Sequence, residues 1–257
     1  ERRIGVSLEP QKTKLEEFRG KLYAKAKAEP DFRFYVLYDK FYRDDVLREA
    51  YRQARSNRGA PGVDGQTFEA VEAYGLERWL KELQEELKQE SYRPQPVRRV
   101  MIPKPGGGER PLGIPTIRDR VAQTAAKLIL EPIFEADMKD EAYGYRPERG
   151  AIDAVKVVLK ELRQGRTEVV DADLTKYFDT IPHALLMRSL ARRISDPRVL
   201  HIIKMWLKAQ VQEKDDRGNV RLSGGKSSTE GTPQGGVISP LLANLYINRL
   251  LQVFAIS

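Results

Sequence analysis

Apolar residues recur every three or four positions over several stretches of the chain, and each such stretch predicts a helix. Between residues 11 and 28, Leu15, Phe18, Leu22 and Tyr23 stand at helical spacing among Lys, Arg and Glu, a charged amphipathic pattern that ends at Glu29-Pro30. From about Thr67 to Gln89, the residues Leu76, Trp79, Leu80, Leu83 and Leu87 set one stripe against a core. A third helix is predicted over 117–136 through Ile117, Val121, Ala125, Leu128, Ile129 and Ile133. A fourth is predicted at about 151–164, and another from Val237 to about Leu250 carrying Leu241, Leu245 and Ile247.

The pattern changes period in two places. From Val97 to Pro103 the β-branched character rises, Pro105-Gly-Gly-Gly-Glu109 makes a turn, and Arg110-Pro-Leu-Gly-Ile-Pro115 returns, so a β-hairpin is predicted with Lys104 and Arg110 flanking its tip. Glu168-Val-Val-Asp-Ala-Asp-Leu174 reads as a buried strand that also carries acids. Arg55-Ser-Asn-Arg-Gly-Ala-Pro-Gly-Val-Asp-Gly65 and Gly144-Tyr-Arg-Pro-Glu-Arg-Gly150 are breaks. Phe32, Phe34, Tyr35, Tyr38, Phe41 and Tyr42, interleaved with Arg33, Lys40 and Arg43, could stack bases, but a stripe at helical spacing reads first as core.

Composition narrows the partners. The 257 residues hold 45 Lys+Arg against 37 Asp+Glu, a formal charge of +8 that favours a polyanion. With 40% hydrophobic residues a real core forms, and the absence of cysteine removes disulfides, thiolate metal sites and thiol nucleophiles. The two histidines, His183 and His201, leave little for histidine chemistry. No stretch approaches the ~18 apolar residues of a membrane span and no signal-peptide apolar region opens the chain, so a soluble, cytoplasmic protein without a membrane partner is expected. Glu1 stands where a Met would begin a protein and Ser257 follows closely on the last predicted helix, so a piece of a longer protein is expected.

Chemistry concentrates in three segments. On a strand, Asp171 and Asp173 share one face about 7 Å apart while Val170, Ala172 and Leu174 take the other, and carboxylates there are hard oxygen ligands suited to Mg²⁺ and phosphoryl transfer. The same string fits the Asp-x-Asp-x-Thr nucleophile of haloacid-dehalogenase-like phosphatases, although the downstream lysine and acidic pair have little room. Gly231-Thr-Pro-Gln-Gly-Gly236 is a tight loop opening a helix, where glycine lets backbone approach a ligand and the helix N-terminus favours phosphate. Lys104 and Arg110 on a glycine-bearing hairpin can close over a charged ligand, or simply protect a sheet edge. Gly225-Lys-Ser227 is not a P-loop, because Val220 stands where that motif needs its first glycine.

Taken in order, Ala60-Pro-Gly-Val-Asp-Gly65, Ile102-Pro-Lys-Pro105, Arg110-Pro-Leu-Gly-Ile-Pro115, Asp119-Arg120, Tyr143-Gly-Tyr-Arg-Pro147, Asp173 through His183, and Thr232-Pro-Gln-Gly-Gly-Val-Ile-Ser-Pro-Leu-Leu-Ala-Asn244 resemble the finger and palm blocks of bacterial group II intron reverse transcriptases and maturases. The resemblance implies an α+β right-hand polymerase, helix-rich with a fingers β-hairpin. Residues 1–50 would be the N-terminal extension of the fingers, 51–165 the fingers and 166–257 a partial palm.

It also implies roles. Asp173 would be catalytic and, with the Leu174 carbonyl, hold Mg²⁺, two ions in the complete enzyme, with Asp171 and Asp179 as neighbours. Lys104 and Arg110 would hold the incoming deoxynucleotide triphosphate, Gln234 and Gly235 would contact nucleotide and template, and Phe178 would block a ribose 2′-hydroxyl. The partners implied are an RNA template, its RNA/DNA hybrid and an intron RNA whose splicing and mobility the protein assists; self-association as a homodimer is left open. The family's Tyr-x-Asp-Asp block does not follow the last predicted helix, so the chain alone is expected to be inactive. A non-catalytic, maturase-like RNA-binding module is the alternative.

Overall fold

The computed structural model describes residues 12–104, 106–214, 218–232 and 235–254. In chain order they form α1 (Lys14–Ala28), α2 (Tyr38–Phe41), α3 (Asp44–Ser56), α4 (Phe68–Tyr74), α5 (Leu76–Lys88), β1 (Val97–Pro103), β2 (Glu109–Ile114), α6 (Ile117–Glu135), α7 (Ala151–Arg163), α8 (Tyr177–Thr180), α9 (His183–Ala191), α10 (Pro197–Leu207), β3 (Gln210–Lys214), β4 (Val220–Gly224) and α11 (Ser239–Phe254).

Helix starts are written in the local sequence. Thr13 accepts the Glu16 N–H while the Glu16 carboxylate accepts the Thr13 N–H, a capping box that opens α1. Thr67 and Thr116 cap α4 and α6 in the same way, each side-chain oxygen taking an orphan N–H of the first turn. The single helix expected over 67–89 is two helices. Gly75 adopts φ +105, a conformation that L side chains resist, and so ends α4 and begins α5. The predicted stripe survives the break, with Trp79, Leu80, Leu83 and Leu87 buried.

α6 is the hub. Fifteen of its residues are buried, and α1, α2, α3 and α11 all pack on it. The core reading of the N-terminal aromatics holds for Phe34, Tyr38 and Phe41, which are buried, but not for Tyr35, which is 67% exposed.

The segment after α1 is tied to a distant part of the chain. The Phe34 N–H donates to the Arg193 carbonyl at 2.7 Å, and the Ser195 N–H donates back to Phe34 at 2.8 Å. The Arg193 guanidinium donates to the carbonyls of Ala26, Glu29 and Phe32. Asp196 completes the clamp, since its fully buried carboxylate accepts the N–H groups of Leu37 at 2.9 Å, Tyr38 at 3.0 Å and Arg198 at 3.0 Å.

Burial alone would raise the Asp196 carboxyl, but these three backbone donors together hold it below the ordinary carboxylate range. A folded-state value below the unfolded one gives stability that is fully present above the unfolded pKa and is lost as pH falls from there through the folded-state pKa. Asp196→Asn should therefore cost roughly 1–3 kcal/mol at neutral pH, and that deficit should shrink between about pH 5 and pH 3. Urea unfolding of both proteins across that range reads it directly.

The sheet has the order β2-β1-β3-β4. The predicted hairpin is present, antiparallel from Arg98 opposite Ile114 to Pro103 opposite Glu109. A second hairpin, β3 with β4, joins it through a short parallel contact of Val97 and Arg98 with Val211 and Gln212. Sequence periodicity does not show this hairpin, because Gln210-Val-Gln-Glu-Lys214 has no apolar alternation.

The buried strand expected at 168–174 is not found. These residues take no regular structure and are exposed, Val170 by 94%. A strand needs a ladder partner to satisfy its N–H and C=O groups, and no described strand lies beside this one. Helix α7, although placed as expected, buries none of its residues and shows Ile152, Val155 and Val158 to solvent.

Candidate functional site

The site is assembled by loops that carry the motifs, held on one another by backbone contacts. Between β1 and β2, the Lys104 N–H donates to the Gly108 carbonyl at 2.9 Å, and Gly106, Gly107 and Gly108 all take positive φ, so the tip is a tight turn. Lys104 and Arg110 are both exposed there and have no side-chain partner among the described residues. The loop of Ala60 to Gly65 docks at the base of this hairpin. Arg98 donates to the Pro61 carbonyl at 3.0 Å, and Arg120 donates to the carbonyls of Ala60 and Pro115. Gly62 lies so close that a Cβ there would fall within 2.7 Å of the Thr116 backbone.

On the other side, the loop that leads to α11 pairs with the residues around α8. The Thr232 N–H donates to the Phe178 carbonyl at 2.7 Å, the Gly231 N–H to Ile181 at 2.9 Å, and the His183 N–H to Thr229 at 2.9 Å. His183 lies 2.7 Å from the Gly231 carbonyl through Nε2, and since a carbonyl only accepts, the proton sits on Nε2. His183 thus ties the start of α9 to the loop that leads to α11.

The two sides meet at Gly235. With φ +98, its missing Cβ would sit on the carbonyl oxygen of Gly113 in β2 and against Leu112. Only glycine allows this contact. Gly235 is thus pressed onto the strand that carries Arg110. Gln234 lies outside the described residues.

Phe178 is half-buried on α8 and sits in an aromatic group, 5.9 Å from Tyr177 and 6.3 Å from Tyr145 between ring centroids. The Tyr177 hydroxyl donates to the Ala243 carbonyl of α11 at 2.7 Å, and burial pushes its pKa up, keeping it a neutral donor. Tyr145 follows Gly144 in a loop fixed by Arg146. That guanidinium is almost fully buried and holds both Glu135 oxygens together with the carbonyls of Lys139 and Ala142, each at 2.6 Å. The sequence marks this loop as a chain break and as a family block but not as an anchor, because a buried arginine is spelled no differently from an exposed one.

Under the hairpin lies a buried polar chain. Trp206 donates to the Tyr92 hydroxyl at 3.0 Å, and Tyr92 donates to Asp119 at 2.5 Å. Asp119 also accepts from Thr116 at 2.8 Å and from the Gln95 N–H at 3.2 Å. Burial raises the pKa of both Asp119 and Tyr92, so this chain fixes where α6 begins rather than offering an acid to solvent.

Asp173 and Leu174 lie on the exposed segment before α8. Asp173 has no side-chain partner among the described residues, and carboxylate and carbonyl oxygens are the donors that Mg²⁺ takes, one or two at a time. No group of three acidic or histidine side chains converges among the described residues, so these donors fit part of a coordination shell. The string Tyr42-Arg-Asp-Asp45 matches the Tyr-x-Asp-Asp spelling, but it is a helix start: Asp44 pairs with Arg48 at 2.7 Å and Asp45 with Arg43 at 2.6 Å in the first turn of α3.

Helices gathered round α6, a cation-tipped hairpin and a small mixed sheet, with a glycine loop joining hairpin to α8, make up the α+β fingers and palm of a polymerase. The chain belongs to the family described as reverse transcriptase (RNA-dependent DNA polymerase), which matches residues 102–256, and within it to the group II intron reverse transcriptases and maturases. It is 40% identical over 244 residues to Protein YkfC of Escherichia coli (strain K12), covering 93% of this chain and 62% of that protein. It is 35% identical over 218 residues to the group II intron-encoded protein LtrA of Lactococcus lactis subsp. cremoris, covering 84% of this chain and 35% of that protein. The chain thus spans less than two thirds of either relative. A chain of a solved partial Cas6-RT-Cas1--Cas2 complex shares the fold, with a TM-score of 0.52 at 22% identity over 86% of this chain and 35% of that one. Among the described residues, no helix is long and apolar enough to cross a membrane.

Proposed function

We propose that this chain forms the fingers (residues 51–165, with 1–50 as their N-terminal extension) and part of the palm (166–257) of an RNA-directed DNA polymerase encoded by a group II intron. The observation that carries this is the Gly235–Gly113 contact, which presses the nucleotide-binding loop onto the strand bearing Arg110. Lys104 and Arg110, exposed and unpaired, hold the triphosphate of an incoming deoxynucleotide; Gly235, and Gln234 by resemblance, line its base and template. Phe178, by resemblance, would block a ribose 2′-hydroxyl by shape. Asp173 and the Leu174 carbonyl would hold Mg²⁺, which when bound supplies charge for the attacking 3′-hydroxyl and the leaving pyrophosphate. The formal charge of +8 suits an RNA template, its hybrid with DNA, and the intron RNA whose splicing and mobility the protein would assist.

Primer extension on an RNA template by the full-length protein tests this reading. RNA binding without extension would make a maturase-like binding module the better account. A second result follows from the joining contact: Gly235→Ala must push the loop off β2, and left-handed backbone strain adds roughly 1–3 kcal/mol. Steady-state kinetics should show the KM for deoxynucleotide rising about tenfold or more, with RNA binding little changed.

A further inference from the structure

Among the described residues of the proposed site, Phe178 is the one whose side chain is shaped by others. Tyr177 lies against it on the same short helix, and Tyr145 meets it from a separate loop with ring planes at 88°. Edge-to-face contact at this distance is the favoured geometry of an aromatic pair. Both partners are tied to consecutive residues of α11. The Tyr177 hydroxyl donates to the Ala243 carbonyl, and the Asn244 side-chain amide donates to the Gly144 carbonyl at 2.6 Å, beside Tyr145.

Tyr145 does not act as core. Its side chain is 68% exposed, so burial does not account for its place. Its backbone holds φ +56, a left-handed conformation that costs a bulky L residue energy and that glycine or asparagine takes more readily. The Arg146 anchor and the Asn244 bond over-determine that conformation, and its result is to aim the Tyr145 ring at Phe178. Strain held in place by surrounding bonds, with an exposed ring pointing at the site, is a placement that packing alone does not require.

We propose that Tyr145 is a positioning residue for Phe178: its edge fixes the tilt of the Phe178 ring and so sets how strictly the polymerase excludes ribonucleotides. The proposal rests on Phe178 being the sugar gate. Exclusion by shape is only as strict as the wall is stiff, and a ring free to rotate would admit an added hydroxyl.

The test is single-nucleotide incorporation by the full-length protein on an RNA template, read as the ratio of kcat/KM for a deoxynucleotide to that for its ribonucleotide. Tyr145→Asn removes the ring while keeping a residue at ease with positive φ, and Tyr145→Phe keeps the ring and drops the hydroxyl. Tyr145→Asn should lower the ratio about tenfold, mainly through better use of ribonucleotide, while Tyr145→Phe leaves it within about twofold. In a Phe178→Ala background, Tyr145→Asn should lower the ratio no further, because it acts through the absent ring. An equal loss for both nucleotides in Tyr145→Asn, or a further drop in the double variant, overturns the proposal. If Phe178→Ala itself leaves the ratio unchanged, the gate reading fails and takes the proposal with it; a relaxed Phe178→Ala beside a strict Tyr145→Asn removes the proposal alone.

Discussion

Asp173→Ala should abolish primer extension by the full-length protein, a loss on the order of a thousandfold or more. Charge stabilisation at a metal-assisted phosphoryl transfer amounts to several kcal/mol, and each ~1.4 kcal/mol is a factor of ten in rate. The same substitution should leave the fold intact. Asp173 is exposed and has no side-chain partner among the described residues, so its removal should change stability by no more than about 0.5 kcal/mol. That separation makes the experiment decisive: thermal melting and RNA binding stay close to wild type while extension is lost. Asp173→Asn, which keeps the shape and removes the charge, should fail equally. A variant that still extends primers at near the wild-type rate would remove Asp173 from the reaction and the polymerase reading with it.

Arg146→Ala should be the most destabilising change in the 136–150 loop, at about 3–5 kcal/mol. The cost is what is left behind: a Glu135 carboxylate with its partner gone, and the carbonyls of Lys139 and Ala142 without their shared donor. Arg149, three residues on, is a built-in control. It pairs with an Asp140 whose side chain is 90% exposed, and such pairs contribute roughly 0–1 kcal/mol. Denaturant unfolding of the two alanine variants should differ severalfold in the lost free energy. Equal losses would mean that the Arg146 cluster is as solvent-screened as its neighbour.

Most of the helical frame was legible because an amphipathic stripe reports burial directly, as in α5 and α6. The β1–β2 hairpin was legible because glycines and β-branched residues mark a turn between strands. Three features were not. Gly75 breaks a stripe that continues in register on both sides, so periodicity runs straight across it. β3 is placed by pairing with β1 and β4 by pairing with β3, and pairing has no signature in a single segment. The reverse error came at 168–174, where alternation promised a strand but a strand exists only with neighbours. Of the site, the charged and glycine residues stood out by type and spacing. The contacts that organise them, Arg146 on its carbonyls and Tyr145 on Phe178, depend on backbone conformation that spacing does not encode.

The clamp that ties Phe34, Leu37 and Tyr38 to Arg193 and Asp196 also sets a schedule. Leu37 and Asp196 are 159 residues apart in the chain. At a synthesis rate of roughly 5–20 residues per second, the ribosome needs about 8–30 s to deliver the second half of the clamp after the first. During that interval the N–H groups of Leu37 and Tyr38 are without their carboxylate. The segment of Leu37 and Tyr38 therefore gains its last tie only after residue 196 is made, and a pause in translation before that residue lengthens its wait.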